Sequence, residues 1–145
     1  MSGGRVLRWM WLVVLAGAVR PVQADWQLEV LLERHQSVHQ LLLKQQGQHN
    51  QALLQQIGNG HRLQSLQTGQ HNVQAVLQQG DSHLAVLVQQ GHDNLSLLQQ
   101  SGSGSQAELL QQGTGHQLLL QQQGAVSLQL QQYGQGAVLS ITQTK

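Results

Sequence analysis

The chain has 145 residues, a formal net charge of +1, only 9% charged residues and neither Phe nor Cys. A near-neutral balance provides no electrostatic footprint for nucleic acid, and the missing cysteines exclude disulfides and thiolate metal sites. The apolar share is almost all Leu, Val and Ala, so the chain lacks the large, shape-specific side chains of an ordinary globular core.

Arg5 and Arg8 precede an apolar run from Trp9 to Val19, and Arg20-Pro21-Val22-Gln23-Ala24 ends in small residues at the −3 and −1 places. This is the order of a secretory signal peptide over residues 1–24, with the mature chain starting at Asp25 and exported. An uncleaved membrane anchor is the competing reading, but a spanning helix wants ~20 apolar residues. The leader, residues 25–38, holds Asp25, Glu29, Glu33 and Arg34. Its Leu28, Leu31, Leu32 and His35 fall at helical spacing, which allows a short amphipathic helix; the alternatives are a targeting segment or a frayed terminus.

From there a repeat takes over. Glutamine recurs at Gln45, Gln56, Gln67, Gln78, Gln89, Gln100, Gln111 and Gln122, then at Gln132 and Gln143. Glycine follows two places behind at Gly47, Gly58, Gly69, Gly80, Gly91, Gly102, Gly113, Gly124 and Gly134. The step is eleven residues, except for one step of ten before Gln132. A fixed short period means an array in which each unit is stable only when stacked on its neighbours.

A second slot lies five residues after each Gln and holds Asn50, His61, Asn72, His83, Asn94, Ser105, His116 and Ser127. The early alternation of Asn with His doubles the unit to twenty-two residues. Five units result over residues 39–145: His39–Gln56, His61–Gln78, His83–Gln100, Ser105–Gln122 and Ser127–Gln143. The fifth reads as one residue short between Ser127 and Gln132.

Inside a half-unit the period is two: His83, Ala85, Leu87 and Gln89 share one parity, as do Asn94, Ser96, Leu98 and Gln100. Alternation bounded by Gly, Asn, Asp and Ser reads as strand and turn. A helix would carry a glycine mid-helix every eleven residues, at ~1 kcal/mol each. The expected fold is therefore all-β, a β-solenoid of five strand–turn–strand repeats. Rungs ~4.8 Å apart place identical residues above one another, where Gln and Asn amides can donate and accept along a continuous ladder. Polar filler would not hold ten glutamines in phase. The array begins and ends on repeats, and such unguarded edges predict end-to-end growth into a fibre.

The pattern Gln-x-Gly-x2-Asn-x5-Gln in units of about twenty-two residues, behind a signal peptide and short leader, resembles the curlin subunits of bacterial curli fibres. Gln45, Gly47, Asn50 and Gln56 fit it, as do Gln67, Gly69, Asn72 and Gln78, and Gln89, Gly91, Asn94 and Gln100. The resemblance implies a secreted functional amyloid of the biofilm matrix, exported through a dedicated outer-membrane pore with assembly factors and held at the cell surface. It also implies self-assembly together with a homologous curlin subunit. The family has a major subunit and a minor one that nucleates the fibre. The divergent fifth unit, with Ala137 at an Asn slot and a basic Lys145, is more like the minor subunit, as are apolar residues on both faces of Leu84-Ala85-Val86-Leu87-Val88. Other departures are His39, His61 and His83 at a slot usually Ser, His116 at an Asn slot, and Gln74 at a usually small position.

The histidine column at twenty-two-residue spacing invites either a shared divalent ion or a hydrogen-bonding role like that of the amides. Protonating it would stack like charges, so slower assembly is expected below pH ~6. The acidic residues Asp81, Asp93 and Glu108 are scattered and form no catalytic constellation. No enzyme activity and no cofactor are therefore expected. A soluble binding scaffold is the alternative, but Thr68, Thr114, Thr142 and Tyr133 form no regular row.

Overall fold

The computed structural model describes residues 27–32 and 39–145. The predicted signal peptide and the rest of the leader lie outside them. Eleven strands follow in chain order: β1 (Gln27–Leu32), β2 (Gln40–Gln48), β3 (Gln51–Asn59), β4 (Arg62–Gln70), β5 (Val73–Asp81), β6 (Leu84–His92), β7 (Leu95–Ser103), β8 (Gln106–Thr114), β9 (Gln117–Gln123), β10 (Ser127–Gln135) and β11 (Val138–Thr144).

Even-numbered strands form one parallel sheet in the order β2-β4-β6-β8-β10, and odd-numbered strands form the other in the order β1-β3-β5-β7-β9-β11. Each twenty-two-residue unit supplies one strand to each sheet, so the eleven-residue step in sequence is the passage from one sheet to the other. The chain is a β-solenoid of five rungs. Pairing is in register at an offset of one unit: Gln45 opposes Gln67 and Gly47 opposes Gly69 in one sheet, Gln56 opposes Gln78 and Gly58 opposes Gly80 in the other.

The inward parity is the one that carries the recurring polar slots. In β6, Ala85, Leu87 and Gln89 are buried while Leu84, Val86 and Val88 are only partly covered. Leu41, Leu43, Leu54, Leu63, Leu87, Leu98, Leu109, Leu118 and Leu120 form a continuous core between the sheets. Full burial of each such side chain contributes about 1.5–3 kcal/mol. A spine this narrow is at most two inward apolar residues deep per strand, and only one in β4, β5 and β7, where Ser65, Gln74 and Ser96 take the other place, so the flanking polar slots must be satisfied for burial to be favourable.

Two expectations are corrected. Residues Gln27–Leu32 form a strand paired in parallel with β3, with Gln27 opposite Gln51 and Leu32 opposite Gln56, and not the helix that the leucine spacing allows. Short apolar runs are ambiguous in period, and an open sheet edge favours the extended form. The missing residue of the fifth unit also lies elsewhere. Ser127 pairs with Gln106 and Gln132 with Gln111, so β10 is full length. The shortening is in the turn before it, where Val126, not Ser127, occupies the place of Ser105: its carbonyl accepts from Gln106 N–H as that of Ser105 accepts from Leu84 N–H, both near 2.8–2.9 Å.

Candidate functional site: the polar ladders and the ends of the stack

The glutamines form two ladders, one per sheet. Nε2 of Gln45 donates to Oε1 of Gln67 at 2.5 Å, Gln67 to Gln89 at 3.0 Å, Gln89 to Gln111 at 2.9 Å and Gln111 to Gln132 at 2.7 Å. In the other sheet Gln56 donates to Gln78 and Gln78 to Gln100, both at 2.8 Å, Gln100 to Gln122 at 3.0 Å and Gln122 to Gln143 at 3.1 Å. All are buried except Gln143, which is partly covered. The spare amide proton crosses the spine to a backbone carbonyl of the opposite sheet, as from Gln67 to Gln51 O at 2.9 Å and from Gln89 to Val73 O at 3.0 Å. Glutamine suits the slot because only a side-chain amide offers an acceptor toward one rung and two donors toward others.

Both ladders have a direction. Every donor faces the rung that follows in sequence, so one end of each stack terminates in acceptors and the other in donors. At the first end Gln56 Oε1 is buried, on a residue with no exposed surface, and has no hydrogen-bond partner.

Asn and His serve the arcs between the sheets in the same way. Asn50 Oδ1 accepts from Asn72 N–H at 3.1 Å and Asn72 Oδ1 from Asn94 N–H at 3.2 Å, while each Nδ2 reaches a glycine carbonyl one rung on, Gly69 from Asn50 and Gly91 from Asn72. On the opposite arc His39 Nδ1 accepts from His61 N–H, His61 Nδ1 from His83 N–H and His83 Nδ1 from Ser105 N–H, at 3.4, 3.3 and 3.1 Å. His61 Nε2 lies 2.9 Å from Ile57 O and His83 Nε2 3.1 Å from Gln79 O, partners that only an Nε2–H tautomer satisfies. Imidazole thus reproduces the acceptor and donor of the Asn amide, which explains why His116 takes an Asn slot, accepting nothing different: its Nδ1 receives Ala137 N–H at 3.3 Å.

The rings of His39, His61 and His83 stack with centroids 5.1 Å apart. With Nδ1 accepting and Nε2 donating, His61 and His83 keep no lone pair for a metal, and no group of three potential metal ligands occurs among the described residues. Burial pushes the His39 imidazole below its ordinary value, helped by neighbouring His61 and opposed by the Gly58 backbone. Burial likewise lowers His83, opposed first by the Gln79 carbonyl, while His61 lowers it and Asp81 raises it.

The glycines make the close rung spacing possible at the corners. A Cβ on Gly69, where φ is +118°, would lie 1.9 Å from the Gly91 carbonyl oxygen. No side chain fits there. Left-handed backbone recurs at His49, His71, Ser82 and Asp93, which stand where other rungs carry Gly60, Gly104 and Gly115; of these four, the turn reading of Gly80-Asp81-Ser82 anticipates Ser82 alone. Another missed feature is a polar exchange inside the core. Gln74, too large for its position, is accommodated because Ser65 faces it and its hydroxyl donates to Gln74 Oε1. The signal was present: Ser65 is the one small residue among Leu43, Leu87 and Leu109 at that place in the sheet.

Comparisons with protein-family models, with curated proteins and with solved structures each returned no match.

Proposed function

We propose that this chain is a secreted structural subunit of an extracellular amyloid fibre of the curli type, assembled at the bacterial cell surface and serving adhesion and biofilm formation. The observation that supports it most strongly is the pair of directional glutamine ladders, which run the height of the stack and end in complementary unmatched groups. A stack of this kind gains the same hydrogen bonds by adding a further copy as it gains by adding a further rung. Within that class we favour the minor subunit that nucleates a homologous partner, with export through the outer-membrane pore and its assembly factors. Its support is the fifth rung, where Val126 and Ala137 replace the polar side chains of both arcs, so the two ends differ. The major fibre subunit is the alternative.

Thioflavin fluorescence and electron microscopy of the chain from Asp25 test the fibre reading: fibres are expected, and a stable monomer after days at micromolar concentration contradicts it. Seeds of this chain at substoichiometric amounts should abolish the lag of a partner curlin. Seeds without effect on a partner that fibrillates alone would favour the major-subunit alternative.

A further inference from the structure

The end of the stack that starts the array is not symmetric between its sheets. In the even sheet the outer strand is β2, whereas in the odd sheet β1 lies outside β3 and occupies its edge. At the opposite end both outer strands, β10 and β11, belong to the fifth rung.

The register shows what else could occupy the β3 edge. Strand β11 pairs with β9 so that Val138 opposes Gln117 and Gln143 opposes Gln122, and β3 pairs with β5 so that Gln51 opposes Val73 and Gln56 opposes Gln78. Continuing this stack by one rung sets β11 of a second copy on β3, with Gln143 opposite Gln56, and β10 on β2, with Gln132 opposite Gln45. The hydrogen-bond direction matches. Gln143 Oε1 is taken by Gln122, leaving its Nε2 for a further rung, and Gln56 Oε1 is the buried acceptor without a partner. Strand β1 cannot supply that bond, because the residue registered opposite Gln56 is Leu32.

We infer that β1 is an internal edge mask: it occupies on β3 the place that β11 of a second copy takes during growth, and addition of that copy requires β1 to leave. The inference rests on the fibre reading above and adds a regulatory element to it. The mask is weaker than its competitor by one buried ladder bond, so it delays docking at this end without preventing it. A leader residue run that follows the leucine pattern and carries Glu29 on the edge is suited to that role, since charge on an edge strand discourages pairing with other chains.

Two changes to β1 should move growth in opposite directions. Val30→Pro with Leu31→Pro removes whichever N–H of that pair bonds to β3, and because among the described residues β1 pairs only with β3 the rest of the stack keeps its contacts. Leu32→Gln supplies the missing donor to Gln56 and strengthens the mask. In unseeded assembly of the chain from Asp25, followed by thioflavin fluorescence, the double-proline variant should shorten the lag roughly threefold or more, as expected when the docking-competent fraction rises. Leu32→Gln should lengthen it. Equal lags for all three chains, or a longer lag for the double-proline variant, overturn the mask while leaving the fibre reading intact. Absence of fibres from every chain, the unsubstituted one included, overturns both.

Discussion

The inner rungs and the fifth rung share the glutamine ladders but differ at the arcs. In rungs one to four, Asn, His or Ser holds each corner by hydrogen bonds to backbone, His39 through Nδ1 alone, and the glycine beside it touches the next rung. In the fifth, Val126 and Ala137 offer only apolar atoms, the inward Leu128, Leu130, Leu139 and Ile141 are partly exposed, and a Cβ on Gly134 would meet nothing within 4 Å. The spine is thus specified by glutamine throughout, and the corners only where another rung covers them. Polar satisfaction is demanded by burial, and it relaxes at the fifth rung, on whose outer side no described strand lies.

The inner rungs and the fifth rung should differ most at the glycines. Gly91→Ala puts a Cβ 2.0 Å from the Gly113 carbonyl oxygen at φ +119°, and should cost more than about 4 kcal/mol, seen as loss of the β-sheet circular dichroism signal. Gly134→Ala meets only its own φ of +98° and should cost about 1–3 kcal/mol. Next come the ladders. Gln89→Leu unmakes bonds to Gln67, Gln111, Ser96 and Val73 O, and should lower stability by roughly 3 kcal/mol by urea denaturation, against ~1 kcal/mol for Gln132→Leu.

The histidine column predicts a pH dependence of known sign. His39 and His83 are depressed below their model-peptide value of 6.5, so the unfolded chain takes up protons first as pH falls. Stability is therefore full above pH 6.5, declines as pH falls below it, and levels off beneath the depressed folded values. His83→Asn, which keeps an acceptor and a donor at the slot, should flatten the urea midpoint against pH across that window. The smallest effect is expected outside the spine. His71 is exposed, stacked on His49 at 4.9 Å and 3.8 Å from Asp93, and His71→Asn, a residue tolerant of its left-handed backbone, should change stability by less than ~0.5 kcal/mol.

Most of this was legible because the polar slots are positional. The beat of Gln45, Gln56 and Gln67 encodes two sheets and their register, and the parity of Ala85, Leu87 and Gln89 marks the inward face. What escaped notice depended on competition between neighbours. The spacing of Leu28, Leu31 and Leu32 is compatible with helix or strand, and the β3 edge decides between them. A one-residue deletion can be placed on either side of Val126 in the sequence, and only the backbone bond from Gln106 shows that the turn absorbs it. Left-handed His49 and Asp93 carry a weaker local signal than glycine does, and only their alignment with Gly60, Gly104 and Gly115 of other rungs marks the position.

In the proposed fibre one molecule contributes five consecutive rungs, and its ladders continue into the next copy. Cryo-electron microscopy of fibres grown from the chain starting at Asp25 measures this as the axial rise per molecule. Five rungs at ~4.8 Å predict a rise of about 24 Å, with Gln132 and Gln143 of one copy aligned to Gln45 and Gln56 of the next. A rise of about 4.8 Å per molecule, the spacing of chains stacked flat with each strand lying on its own copy, would contradict the solenoid fibre.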